Sequence, residues 1–152
     1  MQSVRIVEFP ECRMVSSGVG MFGEERFDAF CAWMEEQPRG VYPQDFLTFA
    51  RCGEKQGLLW LYLYREGMDL PQGVELIDFP GGLYAVTTDI DQKTDMQVMN
   101  AEIDRFLREN GLRRDPSRPD LGNIITTPAV RQILGYEQMD YYTPVSRSDG
   151  KE

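Results

Sequence analysis

The side chains best suited to recognising a small molecule are aromatic, and they alternate along one predicted strand. Residues 58–65 read LLWLYLYR. Successive side chains on a strand point to opposite faces, so Leu59, Leu61 and Leu63 share one face and Trp60, Tyr62 and Tyr64 the other. The aliphatic face suits packing under a helix. The aromatic face carries an indole N–H and two phenol hydroxyls beside large apolar rings, a combination that grips a flat ligand and hydrogen-bonds its edges. The same pattern also fits the second side of a two-sided core, or a dimer interface. A second aromatic strand, DYYTPV at 140–145, sets Tyr142 at the position matching Tyr62 and begins with Asp140. That carboxylate is placed either to accept a hydrogen bond from a ligand or simply to open the strand.

What is missing bounds the chemistry. The chain has no histidine, which removes the commonest general base and metal ligand and excludes Ser-His-Asp and Cys-His mechanisms. Its cysteines, Cys12, Cys31 and Cys52, are widely spaced, with no CxxC to suggest zinc or a redox pair. No metal site, cofactor or catalytic residue is therefore expected. The acidic pairs Glu24-Glu25, Glu35-Glu36 and Asp89 with Asp91 fall at predicted helix ends and loops, where solvation is the rule. GVGMFG at 18–23 has the GxGxxG spacing, but no βαβ unit surrounds it and no acidic residue ends a following strand. A loop anchored by Met21 and Phe22 is the simpler reading. Net charge is −9, against direct contact with nucleic acid, which needs a basic surface. The one basic cluster, Arg113, Arg114 and Arg118, reads as a solvated loop. No run approaches the ~18 apolar residues of a membrane helix, and the first residues lack signal-peptide character, so the expected location is the cytoplasm.

The elements that must position these side chains come in two copies. VRIVEFP at 4–10 returns as VELIDFP at 74–80, with Arg5 against Glu75 as the mismatch in kind. Each copy is followed by a short extended stretch, RMVSS or LYAVT, and then by a helical pattern. Phe27, Phe30, Cys31 and Met34 mark the first helix, with Trp33 beside them; Met96, Met99, Ile103, Phe106 and Leu107 mark the second. Thr94 with Gln97 has capping-box spacing, and Gly111 suits the helix stop. Two strands follow each helix: 45–52 and 58–65, joined by GEKQG, then 123–127 and 140–145. Between the last two, Thr127, Pro128 and Gly135 predict an inserted short helix. This is an α+β plan of tandem β-α-β-β units. The chain reads as a single domain over 1–152, with repeats at about 3–65 and 74–146, a linker at 66–73 and a disordered tail at 147–152. Each half alone would bury little core.

These residues resemble the gyrase-inhibitor-like, or bacterial effector-binding, domain. The resemblance rests on FPGGLYAV (79–86), the Trp33-Met34 helix end, LGYEQMDYYTPV (134–145) and the strand pair 45–64. It implies two SHS2-like modules that form a curved antiparallel sheet, helices on one side, with an aromatic-lined central groove that often takes cationic or hydrophobic molecules. It implies ligand contacts from Tyr142 and Asp140 of the closing strand and from Trp60, Tyr62 and Tyr64 of its counterpart. Many members carry a Glu-x-Tyr pattern on the strand before the closing one. Here that stretch is LGNIITT, so Gly122 or Asn123 stands where the glutamate would be. Asn123 can hydrogen-bond a ligand but cannot neutralise a cation, which argues against organic cations and against the hydrolase activity of some relatives. The implied function is effector binding, as part of or partner to an AraC-type regulator. The ligand is expected to be hydrophobic or aromatic, and a DNA-binding domain or a homodimer partner is expected beside it. A small hydrolase and an acidic protein-interaction module are the alternatives.

Overall fold

A computed structural model describes residues 3–38, 44–52 and 54–148. The fold is α+β, and its contacts divide into two units. One, here the N-terminal unit, is Glu11–Pro80. The other, the C-terminal unit, joins Met1–Pro10 to Gly81–Glu152. The two copies of the repeated motif are thus exchanged. β1 (Arg5–Phe9) pairs with β6 (Gly82–Ile90) of the C-terminal unit, and β5 (Glu75–Phe79) pairs with β2 (Cys12–Ser16) of the N-terminal unit.

In the N-terminal unit the strand order is β3-β4-β2-β5, with β3 at Asp45–Cys52 and β4 at Lys55–Leu63, all antiparallel. β4 starts earlier than the predicted turn allowed. Gly20 exchanges backbone hydrogen bonds with Leu58 at 2.8 Å, which holds this end of the strand in place. A Cβ on Gly57 would meet the Gly20 carbonyl at 2.7 Å, so only glycine fits there. Helix α1 (Glu25–Glu36) buries Phe27 and Phe30. Its acidic first turn, Glu25 and Asp28, lies favourably at the positive end of the helix dipole.

In the C-terminal unit the order is β1-β6-β9-β8, with β8 at Leu121–Ile124 and β9 at Gln138–Arg147. A short strand not foreseen, β7 (Leu112–Arg114), pairs with the far end of β9. Helix α2 (Met96–Glu109) buries Met99, Ile103 and Leu107, one stripe at four-residue spacing, against Ala85 and Val145. Its cap differs from the expected one: Asp95 accepts from the N–H groups of Gln97 and Val98, both at 3.1 Å. Thr94 instead donates to the Ile90 carbonyl at 2.9 Å and lies 3.0 Å from the Tyr141 hydroxyl. A carboxylate one residue closer to the helix is the stronger acceptor for two N–H groups. Helix α3 (Pro128–Leu134) has the expected Thr127 cap and left-handed Gly135, and Gly111 after α2 is also left-handed. The expected 147–152 tail falls largely outside the described residues, although Arg147 closes β9. No helix among the described residues is long and apolar enough to cross a membrane.

Candidate ligand-binding site

The side of each sheet that its helix covers decides which candidates are available. In the N-terminal unit, α1 lies over the aromatic face of β4, not over the aliphatic one. Trp60 packs on Phe27 with ring centroids 5.9 Å apart, and Tyr62 meets the edge of Trp33 at 5.3 Å. Tyr62, Val15 and Phe30 form a buried cluster, with Trp60, Tyr64, Trp33 and Met34 against it. The polar handles are engaged within this layer. Trp60 Nε1 donates to Asp45 Oδ2 at 3.1 Å, and the Tyr62 hydroxyl donates to Gln44 Oε1 at 2.8 Å. The Arg13 guanidinium stands 5.3 Å from the Tyr64 ring centre. The expectation that the helix would cover Leu59, Leu61 and Leu63 is corrected. Both faces of this strand are apolar, so alternation does not reveal which one a helix will take.

In the C-terminal unit α2 covers Tyr141 and Val145 of β9. Asp140 and Tyr142 therefore share the face opposite α2. The β8–β9 register sets Asn123 beside Asp140 and Leu121 beside Tyr142; the β6–β9 register sets Thr88 beside Asp140 and Val86 beside Tyr142. Three of the six candidates, Asn123, Asp140 and Tyr142, are thus neighbours on one surface. They are buried, at 3%, 6% and 8% exposure.

Two residues that sequence reasoning passed over complete this cluster. Arg5 Nη2 donates to Asp140 Oδ2 at 3.0 Å, and the Thr88 hydroxyl donates to Asp140 Oδ1. Arg5 Nη1 reaches Thr88 Oγ1 at 3.4 Å. The signal for Arg5 was present in the repeat, as the position where the two copies carry opposite charge. Burial raises the Tyr142 phenol above its usual value, and the Asp140 charge adds to this while Arg5 opposes it. Tyr84 lies edge-on to Tyr142 at 6.1 Å, donates to the Pro119 carbonyl at 3.1 Å, and has its phenol pushed up to about 12, chiefly by burial.

Nothing among family profiles or curated proteins matches the chain. Solved structures do. EcmrR in its complex with DNA superposes with a TM-score of 0.66 at 11% identity, covering 96% of this chain and 58% of that one. This chain therefore spans little more than half of that protein. The isolated EcmrR C-terminal domain matches over 97% of this chain and 99% of its own length, with a TM-score of 0.65 at 10% identity. A Listeria innocua hydrolase gives 0.65 at 13% identity, over 95% of this chain and 92% of that one. SAV2435, bound to tetraphenylphosphonium, gives 0.50 at 9% identity, over 95% and 94%. At such identities these likenesses establish architecture. The chain has the gyrase-inhibitor-like fold.

Within the gyrase-inhibitor-like fold the internal repeat can be aligned by strand register instead of by letters. Phe9-Pro10 and Phe79-Pro80 set Ser16 against Val86. Ser16 pairs with Leu61, and Val86 pairs with Tyr142. The counterpart of Tyr142 is therefore Leu61, one residue from the Tyr62 of the sequence alignment. A slip of one residue exchanges the faces of a strand, which is why the letter alignment matched Tyr142 to Tyr62 on the opposite side. By the same register Arg5, Thr88 and Asp140 correspond to Glu75, Gly18 and Leu59. The polar cluster belongs to one copy only. The matching face of the other copy buries Met14, Phe46, Leu61 and Phe79, with Ser16 and Thr48 as its buried polar residues.

The basic cluster departs from the solvated loop expected at Arg118, while Arg113 is exposed. The Arg118 side chain is only 9% exposed. It donates to the carbonyls of Leu83 (3.0 Å) and Val145 (2.7 Å), faces the Tyr84 ring at 4.9 Å and pairs with Asp115 at 3.6 Å. Arg114 ties β7 to α2 through Asp104 at 2.8 Å and Asn100 at 3.1 Å.

Proposed function

We propose that this chain is a small-molecule-binding module that holds a hydrophobic or aromatic ligand on the face of its C-terminal unit opposite α2, against Asn123, Asp140 and Tyr142. The observation that carries the reading is the Arg5–Thr88–Asp140 cluster. It is a fixed set of polar groups beside the Tyr142 ring, on the sheet face opposite α2. Few convergent polar groups among aromatic rings is the usual chemistry of a ligand site. The fold shared with EcmrR and with the tetraphenylphosphonium-bound SAV2435 supports it. In this reading the chain senses an effector for a DNA-binding partner of the AraC type. Occupancy would act by favouring one docked state of that partner over another. Trp60, Tyr62 and Tyr64 then serve as the packed layer beneath α1.

Titration of the full chain with a panel of uncharged aromatic compounds, followed by amide chemical shifts, tests this. A binder should shift Thr88, Asp140 and Tyr142, and Tyr142→Ala should weaken it at least about tenfold. A folded chain whose resonances stay fixed across the panel would sink the proposal.

A hydrolase is the second reading, favoured by the Listeria likeness. It would need Asp140 or Tyr142 to activate a nucleophile. Asp140 is already engaged by Arg5 and Thr88, and burial raises the Tyr142 phenol above its usual value, which makes its phenolate harder to form. Turnover of an ester or epoxide that disappears in Asp140→Asn would reverse this preference.

A further inference from the structure

We infer that Arg5 sets the ligand charge class of this site, turning away organic cations in favour of uncharged aromatic molecules that carry an exposed oxygen acceptor. The inference rests on the ligand-binding reading above and extends it to a residue and a chemical class. On the face opposite α2, the β1, β6, β8 and β9 registers bring together one carboxylate, Asp140, and one cation, Arg5, among the described strand residues; Arg118, which lies over the Tyr84 ring on the same side, is paired with Asp115. Arg5 and Asp140 are joined at 3.0 Å, so the pair carries no net formal charge. Asp140 would otherwise be a natural anchor for a cation. It is buried, its side chain 8% exposed, and an unneutralised carboxylate in such a place strongly attracts positive charge. Arg5 satisfies that demand from within the chain. An incoming cation would have to break the pair or accept a like charge beside it.

Arg5 also offers something to an uncharged ligand. A guanidinium has five N–H donors and no acceptor. Its contacts to Asp140 and Thr88 leave donors over, and its side chain is half exposed. The Tyr142 ring supplies an apolar wall, with the fully buried Tyr84 packed edge-on to it beneath Arg118. An aromatic body with a carbonyl or phosphoryl oxygen matches both features. The second copy lacks the arrangement, because Glu75, Gly18 and Leu59 stand at the three corresponding positions.

A matched pair of probes tests the inference on the full chain: triphenylphosphine oxide, uncharged with one strong acceptor, and tetraphenylphosphonium, its cationic analogue. Calorimetry should show the wild-type chain binding the oxide at least about tenfold more tightly than the phosphonium. Arg5→Gln should reverse that order by exposing Asp140. Adding Asp140→Asn to Arg5→Gln should abolish the gained phosphonium binding. If the phosphonium binds wild type and Arg5→Gln equally while the oxide still binds, the role of Arg5 is overturned and the ligand-binding reading stands. If neither probe binds any folded variant, both fall. Should Arg5→Gln fail to fold, Asp140→Asn alone serves. It leaves Arg5 without its partner and should tighten binding of anionic triphenylacetate about tenfold; unchanged affinity there would overturn the inference.

Discussion

Arg118 shows how far a residue's role can depart from its sequence setting. Among charged loop residues it reads as solvated, yet it is enclosed by two carbonyls, a carboxylate and the Tyr84 ring. Gly82 makes room for it: a Cβ there would lie 2.6 Å from the guanidinium. Removing the side chain would leave the Leu83 and Val145 carbonyls short of a donor. Arg118→Ala should therefore cost about 2–4 kcal/mol, read as a lower urea midpoint. A smaller change than that of a surface arginine such as Arg108 would refute the enclosed role. Cys31 gives a second test at this scale. Burial first, then the Asp28, Glu35 and Asp45 charges, push its thiol up to about 11. Since the thiolate is the nucleophile, iodoacetamide should modify folded Cys31 at pH 8 far more slowly than free cysteine. Labelling at the free-cysteine rate would contradict this.

At the scale of elements, helices were readable because their apolar residues recur at three and four positions, as Met99, Ile103 and Leu107 do. Their ends were legible to within a residue or two, since several polar side chains near a terminus compete to cap it. The cap of α2 is a case in point. Asp95→Ala should destabilise the chain by about 1 kcal/mol, seen as a fall in Tm, while Gln97→Ala should change Tm little. A larger loss from Gln97 would restore the expected capping box. Strands were found with less certainty about their faces. β4 is apolar on both sides, so only its register against β2 and β3, where Tyr62 meets Val15 and Asp45, shows which rings lie under α1. β7 was invisible because three residues, LRR, carry no period to detect.

For the molecule as a whole, the buried tyrosines predict how stability depends on pH. Tyr84 has its phenol raised from 10.0 to about 12, and burial also raises Tyr142 and Tyr62. A group whose folded value lies above its unfolded one contributes stability that is complete below the unfolded value and is lost as pH rises through the folded one. Stability from Tyr84 should therefore hold up to about pH 10 and fall between 10 and 12, and Tyr84→Phe should soften that fall. Urea midpoints at pH 9 and 11 that coincide for the wild-type chain would refute this. The duplication, the α+β class, the helices and most strands were determined by the sequence alone, because periodicity and turn chemistry are local properties of a chain. The repeat also marked Arg5 as the odd position without saying why. Tertiary structure decided what local pattern cannot carry: the exchange of β1 and β5 between the repeats, the face of β4 that α1 covers, and the meeting of Arg5 with Asp140 across 135 residues. Strand pairing is a long-range choice, and a shift of one residue reverses every face it presents.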